Sequence, residues 1–131
     1  MNQQISFYEA KLEYEIDSAD LYALLQSKES IIVIDARSGT AYENEHIPGA
    51  LSLPHLEMNK KRVQDLCPES LYVSYCDGIG CNASTKGAYK LARLGFRVKE
   101  LIGGLDWWKK DGYSTEGKNS SGSPVCGGCS C

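Results

Sequence analysis

The sequence has no apolar segment long enough to cross a membrane and no excess of basic residues. Its apolar runs stay far below the roughly 18 residues that span a bilayer. Its 14 Lys and Arg residues are outnumbered by 17 Asp and Glu residues, which gives a formal charge of −3. A protein that coats nucleic acid normally carries a basic face. We therefore expect neither a membrane nor nucleic acid among its partners.

The N-terminus also lacks the features of a secretory signal. The segment MNQQISFYEAKLEYE has neither a basic start nor an apolar centre. We therefore expect a cytoplasmic location, where thiols stay reduced. Six cysteines in such a compartment favour catalysis or metal binding over a disulfide framework. Three lie in the body of the chain and three in its last six positions: Cys67, Cys76, Cys81, Cys126, Cys129 and Cys131.

What the sequence does contain is an alternation of apolar runs and helical patterns. With 131 residues, 42% of them hydrophobic, the chain has the size and composition of one soluble domain. Strands are predicted at 31–35, 51–53, 70–76 and 97–104, and helices at 17–25, 55–66, 83–95 and 105–113. This order predicts an α/β fold with a mainly parallel sheet. Right-handed crossovers bring the carboxyl ends of such strands to one edge, and Cys76 follows one of these ends.

The segment after the strand YVSY has a composition suited to holding an anion. Two glycines allow its backbone to curl around the Cys76 sulfur, and the next helix begins with free amides. Such surroundings would stabilise a thiolate, a persulfide or an oxyanion. The alternative is a buried structural cysteine beside a tight turn. The segment, called the cysteine loop below, consists of Cys76, Asp77, Gly78, Ile79, Gly80, Cys81 and Asn82.

Three segments in order resemble the rhodanese-like single-domain sulfurtransferases: VIDARSGTAYENEHIPGALSLP, YCDGIGCNAS and LGFRVKELIGGLDWWKKDGY. The resemblance covers residues 15–113 and implies a rhodanese-like fold, with a five-stranded mainly parallel sheet flanked by helices on both faces. It also implies that Cys76 takes sulfur from a small donor as a persulfide and passes it to a thiol or another small nucleophile, without a cofactor. Asp35 and Arg37 would support the site by organising neighbouring loops.

The cysteine loop departs from the family in its charge. Many members carry arginine or lysine there, whereas Asp77 follows Cys76 and residues 76–82 include no cation. A carboxylate at this position should repel the thiosulfate dianion and oppose thiolate formation. We therefore expect persulfide or polysulfide donors rather than thiosulfate. Asn82 stands where phosphatases of related fold place arginine, which argues against phosphate chemistry.

Cys81 leaves two interpretations open. A thiol five residues from Cys76 could resolve a persulfide or a sulfenic acid by forming an internal disulfide. Alternatively, its side chain only faces the core or the solvent. The geometry of the loop decides between them, because a disulfide requires the two sulfurs to meet.

The two ends of the chain are expected to lie outside the domain, as an extension over residues 1–14 and a flexible Gly/Ser-rich tail over residues 114–131. Cys126, Cys129 and Cys131 in the tail could relay sulfur, bind a metal or have no role. A tetrahedral zinc site would need a fourth ligand, and a second chain could supply it, which leaves a homodimer open. The alternative function is a non-catalytic sulfur or redox sensor, or a metal-handling module.

Overall fold

The computed structural model of the chain describes residues 2–119. Its α-helices and strands alternate, as the apolar pattern predicts, except between the third and fourth strands, where only a 3₁₀ turn is found. The elements are α1 (Asn2–Tyr14), β1 (Glu15–Ile16), α2 (Ser18–Gln26), β2 (Ile31–Asp35), α3 (Gly39–Asn44), β3 (Leu51–Ser52), β4 (Leu71–Tyr75), α4 (Ala83–Arg93), β5 (Arg97–Leu101) and α5 (Gly104–Lys110). No helix among these residues is both long and apolar enough to span a membrane.

The strands form one five-stranded sheet in the order β1-β5-β4-β2-β3, and each neighbouring pair is parallel. The predicted α/β fold with a parallel sheet is therefore confirmed. Because β4 is the central strand, the cysteine that follows it lies between the ends of β2 and β5. This is the position at which parallel sheets commonly place their ligand sites.

Successive side chains of the central strands pack into two separate hydrophobic cores, one on each face of the sheet. Val33 and Val73 face the core that includes residues of α2 and α5. Ile34 and Tyr72 face the opposite way, into the core that includes Leu91 of α4. All five side chains are at most 3% exposed. Burial of each aliphatic side chain of this kind stabilises the fold by about 1.5–3 kcal/mol, so both faces of the sheet hold the central strand in place.

Residues 55–66 differ from the predicted helix. A single 3₁₀ turn, His55–Glu57, forms there, and turns follow it. The Asn59 side chain accepts a hydrogen bond of 2.8 Å from the backbone N–H of Arg62. This is the geometry of a helix N-cap, so a new turn begins at Asn59 and residues 55–66 do not form one continuous helix.

The extension over residues 1–14 is a helix, and the residues just after the expected end of the domain pack on it. The extension forms helix α1, which buries no residue, and it leads into the edge strand β1. Residues 114–119, expected in the flexible tail, instead pack on the domain, where His46 and Glu116 exchange two backbone hydrogen bonds of 2.8 and 2.9 Å. Backbone hydrogen bonds, rather than burial of apolar side chains, hold this segment on the domain. Its amino-acid composition therefore did not predict the packing. Cys126, Cys129 and Cys131 lie outside the described residues.

Helix α5 begins directly on the cysteine loop. The backbone N–H of Leu105 donates to the Cys76 carbonyl at 2.9 Å, and that of Asp106 donates to the Asp77 carbonyl at 2.8 Å. Gly104 makes this approach possible, because its φ is +58° and a Cβ there would lie 2.4 Å from the Cys76 carbonyl oxygen. Gly104, the first residue of α5, is therefore required for the packing of this helix on the cysteine loop.

We predict that Gly104→Ala lowers the free energy of unfolding by more than about 2 kcal/mol, because the added methyl group overlaps the loop backbone. Gly95→Ala is the matched control: Gly95 has a φ of +99°, but nothing lies within 4 Å of its Cβ position. Gly95→Ala should lower the free energy of unfolding by only about 1 kcal/mol, because the only cost is that alanine must adopt a left-handed backbone conformation. Urea unfolding measures both, and equal losses would contradict the packing role of Gly104.

Candidate active site

A buried carboxylate lies at the base of the site, at the end of β2. Asp35 is fully buried and accepts hydrogen bonds from Arg37 Nε at 2.9 Å, Arg37 Nη2 at 2.7 Å and the Tyr75 hydroxyl at 2.8 Å. Burial by itself would lower the pKa of Arg37, but the hydrogen bonds and charge of Asp35 raise it. Burial and the Asp35 charge raise the pKa of Tyr75. The carboxylate is thus fully compensated by groups that stay protonated.

Arg37 extends this pair to the neighbouring segments. Its Nη2 donates to the Glu45 carbonyl at 2.6 Å, and its Nη1 donates to Asp77 Oδ1 at 2.9 Å. One guanidinium therefore connects the end of β2, the end of α3 and the cysteine loop. These contacts are of the organising kind expected for Asp35 and Arg37. They also change the expectation for Asp77, whose carboxylate is exposed but paired with a cation from outside the loop.

Cys76 lies below the surface, with only 1% of its area exposed. Its Sγ donates a hydrogen bond to the Cys81 carbonyl oxygen at 3.0 Å and lies 3.4 Å from Ser84 Oγ. Burial and the hydrogen bond to Cys81 raise the pKa of the Cys76 thiol, and the hydroxyl and N–H of Ser84 only partly offset this rise. The resting thiolate expected from the glycines of the loop is therefore not what the geometry favours.

The backbone N–H groups that were expected to stabilise an anion at Cys76 act on Cys81 instead. Burial alone would raise the pKa of Cys81, but the hydrogen bond from Cys76 and the backbone N–H groups of Ala83 and Asp77 lower it overall. The Cys81 side chain is half-buried, so solvent reaches it more readily than Cys76. The amides of the cysteine loop thus favour an anion at Cys81.

The other loop residues shape the surface. Gly78 packs against Asp106 of α5, where an added Cβ would lie 3.1 Å from the Asp106 Cβ. Ile79 is 82% exposed at the tip. Gly80 has a φ of +94°, a turn conformation that glycine adopts readily. Asn82 precedes α4 without capping it through its side chain.

Polar residues near Cys76 that were not predicted from the sequence are Ser84, Thr85 and Glu100. The buried Ser84 hydroxyl donates to Glu100 Oε2 at 2.7 Å, and Thr85 donates to the same oxygen at 2.7 Å. Glu100 lies on β5 opposite Ser74 of β4. A glutamate inside the apolar strand pattern VKEL was the available signal. The chain from Cys76 through Ser84 to Glu100 connects the buried sulfur to a half-exposed carboxylate.

Cys76 and Cys81 both line a small cleft of about 340 Å³. Its other lining residues include Ser84, Glu100, and Gly103 and Gly104 at the start of α5. Cys81 lines a second cleft of about 460 Å³ together with Arg37, Asp77 and Lys109. Cys81 therefore lies at the boundary between the buried sulfur and a charged entrance. A larger cleft of about 790 Å³ lies between α1, α4 and β5, and neither cysteine lines it.

No group of three or more His, Cys, Asp and Glu side chains within residues 2–119 is placed to hold a metal ion. The cysteines considered as metal ligands or sulfur relays in the tail, Cys126, Cys129 and Cys131, are not among these residues. The site described here consists of thiols, hydroxyls, carboxylates and backbone groups.

Residues 17–111 match the family model of the rhodanese-like domain. The chain is 37% identical over 89 residues to the thiosulfate sulfurtransferase GlpE of Coxiella burnetii, covering 65% of this chain and 78% of that protein. It is 32% identical over 105 residues to the HTH-type transcriptional regulator Rv0324 of Mycobacterium tuberculosis. That match covers 78% of this chain but only 44% of the regulator, so the chain spans less than half of the regulator's length.

A similar solved structure is that of the BH2092 protein from Bacillus halodurans. It is 42% identical in sequence, has a TM-score of 0.84, and the match covers 93% of this chain and 90% of that one. The match extends over most of the described fold. By its sequence, its sheet order and these relatives, the chain belongs to the rhodanese-like domain family.

Proposed function

We propose that the chain is a sulfurtransferase in which Cys76 carries a sulfane sulfur as a persulfide and passes it to a thiol or another small nucleophile. The observation that carries the proposal is a single buried cysteine at the end of the central strand, facing a cleft of about 340 Å³. Such a cleft admits a small sulfur compound and keeps the reactive persulfide away from bulk water. The similarity to GlpE, a thiosulfate sulfurtransferase by name, supports this class of reaction.

The first step requires the Cys76 thiol to lose its proton, since only a thiolate attacks sulfur efficiently. Cys76 can give this proton to Ser84 Oγ while Ser84 gives its own hydroxyl proton to Glu100 Oε2, along contacts of 3.4 and 2.7 Å. The thiolate then attacks the donor's sulfane sulfur. The bond between that sulfur and the rest of the donor breaks, and the donor leaves as a thiolate. An acceptor thiolate later removes the sulfur from Cys76 in the same manner.

The charges around the entrance favour a persulfide or polysulfide donor over thiosulfate. Arg37 is bonded to Asp77, and Lys109 lies 2.9 Å from Glu45. In the described part of the chain, the cations at this entrance are thus paired with carboxylates. A thiosulfate dianion would have to compete with those carboxylates, whereas a singly charged persulfide meets less repulsion.

A second candidate function is suggested by the similarity to the regulator Rv0324. In a sensor, the Cys76 persulfide would be a signal rather than an intermediate, and an acceptor thiol would not turn it over. Repeated turnover with a small thiol acceptor separates the two functions, because only the sulfurtransferase produces more than one equivalent of product per chain.

We predict that treatment of the Cys81→Ser variant, in which Cys76 is the only cysteine of the loop, with a polysulfide adds one sulfur atom, about 32 Da, to Cys76. Fragmentation mass spectrometry locates the added mass. Cys76→Ser should abolish sulfur transfer to cyanide or a small thiol. Cys67→Ser, which removes an exposed cysteine outside both clefts, should transfer sulfur like the wild type. Undiminished transfer by Cys76→Ser would rule out the proposed enzyme.

The two cysteines should also differ in their pH dependence. Because the pKa of Cys76 is raised, its alkylation should reach half its maximal rate above about pH 8.5, the ordinary value for cysteine. The lowered pKa of Cys81 should bring its midpoint below that value. Iodoacetamide labelling across the pH range, read by mass spectrometry at each site, measures both. The reverse order of midpoints would contradict the electrostatic description of the loop.

Donor choice should respond to the charge at Asp77. Asp77→Asn removes a carboxylate from the entrance and leaves Arg37 Nη1 available to an anion. We expect the ratio of thiosulfate to polysulfide activity to rise about fivefold, as loss of an exposed charge interaction of about 1 kcal/mol implies. Asp65→Asn removes an exposed carboxylate outside both clefts and should leave the ratio unchanged. An unchanged ratio in Asp77→Asn would show that this charge does not select the donor.

A further inference from the structure

The cysteine loop brings its two thiols together. The backbone N–H of Cys81 donates to the Gly78 carbonyl at 3.1 Å, which closes a turn, and the left-handed Gly80 completes the curl. As a result, the Cys76 sulfur lies 3.0 Å from the Cys81 carbonyl oxygen, and both cysteines line one cleft. Both cysteines are free thiols. They face the same cleft, so no barrier of packed side chains separates them.

The two thiols have different surroundings. Cys76 is buried, and its sulfur contacts a carbonyl oxygen and a hydroxyl. Cys81 is half-buried, receives backbone N–H groups and borders the charged entrance as well as the shared cleft. A buried persulfide at Cys76 would therefore have as its neighbour a thiol that is more exposed than Cys76 and closer to backbone N–H donors.

We propose that Cys81 resolves the Cys76 persulfide, so that the site releases hydrogen sulfide and forms an internal Cys76–Cys81 disulfide. This inference rests on the proposed persulfide at Cys76. The Cys81 thiolate attacks Sγ of Cys76, a sulfur–sulfur bond forms between the two side chains, and the bond from Sγ to the outer sulfur breaks. The electron pair of that bond leaves with the outer sulfur as hydrosulfide. The step balances without any added oxidant, because the sulfane sulfur is the group that is reduced.

The positions of the sulfur atoms favour attack by Cys81 on the inner sulfur of the persulfide, which is Sγ of Cys76. Sγ of Cys76 is fixed by its backbone and lies against Cys81, whereas an outer sulfur would extend from it into the cleft. Hydrosulfide is the conjugate base of a comparatively strong acid among thiols, and a leaving group of this kind departs readily. The reaction therefore ends as a disulfide rather than as a second persulfide.

A small dithiol would return the site to its starting state. Its first thiolate attacks the more exposed sulfur, that of Cys81, and releases Cys76 as a thiolate. Its second thiol then displaces Cys81 and closes the reductant's own disulfide. Each cycle reduces one sulfane sulfur to sulfide and oxidises one dithiol, so the activity is reductive release of sulfide in addition to sulfur transfer.

The test uses the full chain, freshly reduced and treated with one equivalent of a small alkyl persulfide. For the wild type we expect about one equivalent of sulfide per chain and a protein about 2 Da lighter, with the Cys76–Cys81 disulfide located by fragmentation. Cys81→Ser should instead keep about 32 Da on Cys76 and release less than about a tenth of the sulfide. Cys81→Ala provides a second variant, and Cys67→Ser should behave as the wild type.

Two results would overturn the inference while leaving the proposed sulfurtransferase intact. In one, the wild type keeps the added sulfur on Cys76 and releases no sulfide. In the other, the added sulfur appears on Cys81, which would mean that the outer sulfur is transferred. Failure of the proposed function looks different, because neither the wild type nor the Cys81 variants would then take up sulfur at Cys76.

Discussion

The structure of the site depends on one buried ion pair, that between Asp35 and Arg37. A carboxylate with no exposed surface is strongly destabilising unless its charge is compensated, so the fold must keep Arg37 and Tyr75 against it. Because Tyr75 is the residue before Cys76, the pair fixes the end of the central strand. Because Arg37 also reaches Asp77, the same pair fixes the second residue of the cysteine loop. The remaining fixed point is α5, whose first N–H groups bind the carbonyls of Cys76 and Asp77.

These constraints divide two chemical requirements between two cysteines. A persulfide carrier benefits from burial, which limits access of water and stray thiols but also raises the pKa of the Cys76 thiol. A nucleophile benefits from exposure and from N–H donors, which Cys81 has. One residue cannot meet both requirements fully. The curled loop allows a buried carrier and a more acidic, accessible thiol to share one cleft, which is the basis for the proposed release of sulfide.

The sequence predicted the parallel sheet and the position of Cys76 after one of its strands, because these depend on the apolar pattern and the strand order. It did not predict which cysteine the loop amides face, since that depends on the curl at Gly80 and on the carbonyl of Cys81 pointing at the Cys76 sulfur. It also missed Glu100, whose contact with Ser84 arises from the pairing of β4 with β5. Residues 55–66 were wrongly predicted as one helix, because Asn59 caps a new turn inside the segment.

The relatives of the chain include a protein named as an enzyme and a protein named as a transcriptional regulator, and a function of either kind is proposed for this chain. Both depend on the same central claim, that the sulfane sulfur is held on the buried cysteine. The crystal structure of the Cys81→Ser variant after polysulfide treatment tests this claim most directly. We expect one additional atom about 2 Å from Cys76 Sγ, the length of a sulfur–sulfur bond, inside the curl of residues 76–82. A structure in which Cys76 is unmodified and Cys67 carries the added sulfur would contradict the account.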